Sequence, residues 1–118
     1  MTGAAAPPPR RRALASLAGG AAFDSIFERG RRVDGRYMQL IVADSAATQS
    51  RAGFVISRKA LKRAVDRNRL RRQVRAMLEV AARQRPPFDV VVRVKPPLAR
   101  KNLAAAAVEA GLLIARLG

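Results

Sequence analysis

Apolar positions along the chain recur at helical spacing in three places and alternate or cluster in four shorter ones. Phe23, Ile26 and Phe27 fall at i, i+3 and i+4, which predicts a helix over 21–29, with Gly30 standing where a C-terminal stop belongs. Asp34-Gly35 lies between two short extended runs and predicts a tight hairpin whose two central residues both take φ > 0. From Tyr37 to Ala43 the chain alternates: Met38, Leu40 and Val42 point one way, and Tyr37, Gln39 and Ile41 the other. A polar loop over 44–50 leads to a further strand over 52–57.

Leu70, Val74, Met77, Leu78 and Ala81 make one stripe at 100° per residue, predicting a long helix that ends before Arg85-Pro86-Pro87. Leu61 and Val65 fall off that stripe, so a loop or bend is expected between Lys59 and about Arg63. Phe88 to Val94 reads as a strand, and its unbroken Val90-Val91-Val92 predicts burial on both faces. Lys95-Pro96-Pro97 ends it. A last helix over 99–117 keeps Leu103, Ala106, Ala107, Ala110, Leu113, Ile114 and Leu117 on one side. The order α-β-β-β-α-β-α predicts an α+β fold, a two-layer sandwich of helices on a small mixed four-stranded sheet.

The length, 118 residues, suits one domain with a small core. Residues 1–13 carry Pro7–Pro9 and Arg10–Arg12, a composition that predicts a disordered tail before a single domain over 14–118. With no cysteine and no histidine, disulfides, thiolate metal sites and histidine-based catalysis are excluded. Neither a membrane-length apolar stretch nor a signal-peptide pattern is present, so a cytoplasmic location without membrane contact is expected. The eight acids are scattered; Asp24 and Glu28, at i and i+4, read as the solvated side of the first helix. Without a Gly-rich phosphate loop either, the isolated chain is expected to hold no catalytic residue, no metal and no cofactor.

Charge changes the picture most. The chain has 24 Lys and Arg against 8 Asp and Glu, a net +16. Self-repulsion of that size opposes compaction, and a polyanion relieves it. The excess is focused: between Arg58 and Arg75 stand Arg58, Lys59, Lys62, Arg63, Arg67, Arg69, Arg71, Arg72 and Arg75, with Asp66 the only acid. Like charges at i, i+4 destabilise a helix, and phosphate contact compensates by releasing counterions. Arginine outnumbers lysine there, and its planar fork matches phosphate. Asn68 adds a neutral donor and acceptor suited to a sugar hydroxyl or a base edge. Arg67, three residues before Leu70, lies near the apolar side, which implies a fixed orientation. The segment is thus a candidate nucleic-acid surface. From residues alone, nucleic acid is the first candidate partner, through a ribosomal or other structural RNA-binding protein or a DNA-binding module, and an anionic membrane surface is the second.

Taken together, the run Arg51-Ala52-Gly53-Phe54-Val55-Ile56-Ser57-Arg58-Lys59 and, eight residues on, Arg67-Asn68-Arg69-Leu70-Arg71-Arg72 resembles the protein subunit of bacterial ribonuclease P. Phe23, Phe27 and Gly30 upstream, and Asp89 to Val94 with Lys95 downstream, fit the same pattern over about residues 14–117. Two positions depart from it, Ala76 where many relatives carry an acid and Met77 before a Leu where an aromatic often follows. The resemblance implies a left-handed crossover beside the basic helix. It implies assistance to a catalytic RNA that cuts the 5′ leader from precursor tRNA, with Mg²⁺ serving the RNA-catalysed step. The implied partners are that RNA, one protein to one RNA, and precursor tRNA. Contacts to the RNA subunit would come from Arg58, Lys59, Lys62, Arg63, Arg67, Asn68, Arg69, Arg71, Arg72 and Arg75. The 5′ leader would meet Phe23, Phe27, Tyr37, Gln39 and Ile41 in a cleft between the first helix and the sheet. Ile41 stands where some relatives carry an aromatic, and for Phe23 and Phe27 ordinary core packing is the competing reading.

Overall fold

Alternation along the central strands sorts side chains onto two sheet faces, and helices cover both. The computed structural model of the protein describes residues 13–45 and 47–117. The tail expected over residues 1–13 lies outside the described residues save for Ala13. The elements are β1 (Leu14–Ser16), α1 (Gly20–Arg29), β2 (Arg31–Asp34), β3 (Met38–Asp44), β4 (Ser50–Val55), α2 (Ala64–Arg83), β5 (Phe88–Val94), a 3-10 turn (Arg100–Asn102) and α3 (Leu103–Ala115). The sheet runs β1-β4-β5-β3-β2, with β1, β4 and β5 mutually parallel and the rest antiparallel.

One face carries Met38, Leu40 and Val42 of β3 with Val90, Val92 and Val94 of β5, and receives Leu70, Val74 and Leu78 of α2 and Ala106, Ala110 and Leu113 of α3. Each fully buried Leu or Val there is worth roughly 1.5–3 kcal/mol. The other face carries Ile41, Ala43 and Val91 and receives Ile26 of α1, flanked by the half-buried Phe23 and Phe27. The run Val90-Val91-Val92 is buried on both sides, as its composition predicts.

Two expectations about architecture need correction. The sheet has five strands, because Leu14–Ser16 pairs in parallel with Ser50–Ala52 at the edge. Three residues are too few to show a period. The sandwich is also not two-layered: α1 packs on the face opposite α2 and α3. Helical periodicity shows that a helix buries one side; it does not say against which face of a sheet.

One local expectation is also revised. The hairpin at Asp34-Gly35 is not a two-residue turn with both centres at φ > 0, since Gly35 does not adopt positive φ. β2 pairs Asp34 with Gln39, and Gly35 to Tyr37 form the connection, closed by Gly35 N–H donating to Met38 O at 2.9 Å. The Glu109 carboxylate of α3 holds this turn by accepting the N–H groups of Arg36, Tyr37 and Met38 at 2.6, 2.8 and 3.1 Å. A Cβ at residue 35 would lie 2.5 Å from Glu109 Oε1, so glycine is needed for space. Gly30 ends α1 as expected, its N–H donating to Ile26 O at 2.8 Å, and it too is needed for space. Its φ of −78° is ordinary, and a Cβ there would meet Ile26 O and Ile41 Cγ2 at 2.5 Å.

Candidate nucleic-acid interface

The basic segment begins as a loop and becomes a helix, as the break in its apolar stripe predicts. Ser57 starts the loop: its carbonyl accepts from Ala60 and Leu61 N–H at 3.1 and 3.0 Å, and its hydroxyl from Ala60 N–H at 3.2 Å. Ala60 and Leu61 are buried beneath the loop, which turns the side chains of Arg58, Lys59, Lys62 and Arg63 outward. α2 then starts at Ala64, and its 20 residues keep Leu70, Val74 and Leu78 on the sheet.

The ten residues expected to meet RNA divide into two kinds. Arg67 Nη1 donates to the carbonyls of Leu61 and Lys62 at 2.7 and 2.9 Å, pinning the loop to the helix. Arg71 Nη1 donates to Asn68 Oδ1 at 2.7 Å, so the Asn68 acceptor is engaged and its amide N–H₂ remains. Arg75 Nη2 donates to Leu14 O at 3.3 Å, tying α2 to β1. These three arginines are struts. By contrast, the side chains of Arg58, Lys59, Lys62, Arg63, Arg69 and Arg72 make no hydrogen bond or ion pair among the described residues, and all six are exposed. They form one cationic surface across the loop and the outer face of α2. The loop lines a concavity of about 1000 Å³ that also takes in Asp66, Leu98 and Arg100.

This surface stays positive because the acids are used elsewhere. Asp34 pairs with Lys95 at 2.9 Å, Asp66 with Arg100 at 3.3 Å and Glu79 with Arg83 at 3.3 Å. Glu79 also accepts Ala13 N–H at 2.7 Å. Asp89, fully buried, takes the Nε and Nη2 groups of Arg51 at 2.9 and 2.7 Å. That fork raises the Arg51 pKa above its usual value, mainly through the hydrogen bond to Asp89. The Lys95 ammonium, chiefly by hydrogen bonding, holds the exposed Asp34 carboxyl below its usual value. Asp24 and Glu28 are exposed on α1, and no cluster of three acids able to hold a metal occurs among the described residues. No helix among them is long and apolar enough to cross a membrane.

A second surface lies on the α1 face of the sheet. Arg29 at the end of α1 approaches Asp89 at 3.6 Å and donates to Asp44 O at 3.0 Å, clamping that end of the helix. Phe23 lies over Gly53, where a Cβ would intrude into the ring, so the missing side chain makes the seat for the aromatic. Beyond this contact the next row of the same face stays open. Gln39 pairs across the sheet with Arg93, and Arg93 with Val55; Arg93 is exposed and Val55 is 37% exposed. Arg32 borders the opening, donating to Phe27 O at 3.3 Å and to Gln39 Oε1 at 3.5 Å.

Of the five residues expected in this cleft, Phe23, Phe27 and Gln39 are brought together with surface exposed. Ile41 is fully buried and forms the floor. Tyr37 does not join them. It packs against the α2–α3 core and sits 5.4 Å from the Arg36 guanidinium, because the pleat begins only at Met38 and Tyr37 belongs to the Glu109-held turn. Arg32, Val55 and Arg93 were missed. Counting by two from Gly53 and Val91 places Val55 and Arg93 on this face, a signal available once β4 and β5 are known to be neighbours.

The family model described as Ribonuclease P matches residues 12–118. The chain is 37% identical over 76 residues to the ribonuclease P protein component of a Synechocystis strain, a match covering 63% of this chain and 61% of that relative. It is 37% identical over 102 residues to the ribonuclease P protein component of Acidothermus cellulolyticus, covering 80% and 81%. The fold superimposes on the Staphylococcus aureus RNase P protein with a TM-score of 0.68 at 18% identity, covering 86% of this chain and 90% of that one. With the family model spanning nearly the whole sequence and the fold in agreement, the chain belongs to the ribonuclease P protein family.

Proposed function

We propose that the protein is the protein subunit of ribonuclease P, binding the catalytic RNA through the loop and α2 and the 5′ leader of precursor tRNA through the α1–sheet cleft. The observation that carries this is the separation of two surfaces: six cations without a partner among the described residues on one, half-buried rings beside an open row of Gln39, Arg93 and Val55 on the other. The cationic surface suits a structured phosphate backbone. The cleft offers Phe23 and Phe27 for base stacking, with Arg32 and Arg93 as cations for the strand, and needs no sequence code. The acids are occupied or scattered, so bond cleavage belongs to the RNA and its Mg²⁺. The protein's contribution is binding and positioning, which assists leader removal and broadens the range of substrates. One protein per RNA, a cytoplasmic location and a left-handed β4–α2–β5 crossover belong to the same reading.

The test is to add the chain to a bacterial ribonuclease P RNA at low Mg²⁺ and measure cleavage of precursor tRNA. Stimulation is expected, and its absence would leave a structural RNA-binding role instead. Arg69→Ala should weaken assembly with the RNA, whereas Phe27→Leu should weaken binding of leader-bearing but not mature tRNA. Identical behaviour of the two variants refutes the two-surface assignment.

A further inference from the structure

Asp66 is the one acid inside the basic segment, and its position is informative. It lies in the first turn of α2, 5% exposed, and forms an ion pair with Arg100, its Oδ2 3.3 Å from Arg100 Nε. Arg100 comes from the chain between β5 and α3, more than thirty residues away in sequence. That chain is fixed against the basic loop: Leu98 is buried, and its N–H donates to Ala60 O at 2.9 Å. The Arg100 side chain remains 62% exposed with its two Nη groups unpartnered among the described residues. Arg100 lines the concavity formed by the loop, and also a second one of about 290 Å³ that contains Arg69, Gln73 and Lys101. Lys101 too is exposed and unpartnered among the described residues. The guanidinium is thus anchored at Nε by a buried carboxylate, and the residue lines two depressions rich in cations. An anchored fork loses less side-chain freedom on binding than a free one, and its geometry matches a phosphodiester.

We infer that Arg100 and Lys101 form the second wall of a phosphate-binding groove. The backbone of the RNA subunit would lie between the loop at Arg58–Arg63 and the turn that opens α3, and Asp66 is the positioning residue for Arg100. The inference rests on the reading that the α2 surface binds the RNA subunit. It extends that interface to a segment outside the basic run.

Affinity for ribonuclease P RNA alone, measured over a salt series, tests both levels. Arg100→Ala and Lys101→Ala should each weaken binding and each lower the slope of log K against log salt by ~0.7–0.9. Arg100→Lys should keep the slope with intermediate affinity, and Arg116→Ala at the end of α3 should change neither. Asp66→Asn should weaken binding by releasing Arg100; tighter binding would show that Asp66 acts only as a negative charge and overturn its positioning role. Wild-type slopes for Arg100→Ala and Lys101→Ala, with a reduced slope for Arg69→Ala, would overturn the second wall and leave the proposed function standing. Wild-type slopes for all three would overturn both. If Arg100→Ala fails to fold, Lys101→Ala, which breaks no contact among the described residues, still decides. A loss seen only with precursor tRNA would assign the groove to the substrate and overturn its assignment to the RNA subunit.

Discussion

Arg51→Met tests the buried ion pair that ties β4 to β5 on the face covered by α1. Asp89 is 1% exposed at its side chain, and Arg51 supplies both of its close contacts, at 2.9 and 2.7 Å. Removing one partner of a buried ion pair costs ~3–5 kcal/mol, because the other charge stays buried without compensation. Two features reduce that here. Arg51 is itself 38% exposed, and Arg29 remains 3.6 Å from the carboxylate. The expected loss is therefore about 2–3 kcal/mol, or roughly 10 °C in Tm for a domain of this length. Denaturant and thermal unfolding followed by circular dichroism measure it. The double variant Arg51→Met/Asp89→Ala separates charge from packing. Deleting the stranded carboxylate should recover ~1–2 kcal/mol relative to the sum of the single variants. A loss below about 0.5 kcal/mol for Arg51→Met, or strict additivity in the double variant, would refute the claim that this buried charge pair holds β4 to β5.

Glu109→Ala removes the acceptor for three backbone N–H groups in the β2–β3 turn, and unfolding should show a loss of about 2 kcal/mol with fast exchange of the Tyr37 and Met38 amides. Gly53→Ala places a methyl in the Phe23 ring; a loss of ~1–3 kcal/mol should accompany weaker discrimination between leader-bearing and mature tRNA, with affinity for the RNA subunit unchanged. Asp34→Asn tests the exposed pair with Lys95. Because the folded-state pKa of Asp34 lies below its unfolded value, the pair stabilises above about pH 4 and loses that effect as pH falls through the folded value. Wild type and variant should differ in stability at neutral pH and converge in acid, and a gap that persists in acid would contradict the pairing.

The sequence by itself determined the presence and order of the helices and the four longer strands, with some ends displaced by two to four residues: the helices and β3 show a periodic apolar face, β5 an unbroken apolar run, and β2 stands before the Asp34-Gly35 turn. It also located the cationic surface, since nine bases around one acid cannot be offset within that segment. The bend before α2 and the fixed setting of Arg67 were legible too, as departures from a single stripe. Only the tertiary structure decided which cations are free and which are struts, because the carbonyls that engage Arg67 and Arg75 are positioned by chain packing. It alone placed α1 across the sheet from α2 and α3, and Tyr37 outside the cleft. It alone brought Arg100 to Asp66, through a buried Leu98 set against Ala60. Periodicity records that a side is buried, whereas its partner is chosen by strand order and by contacts between residues far apart in the chain.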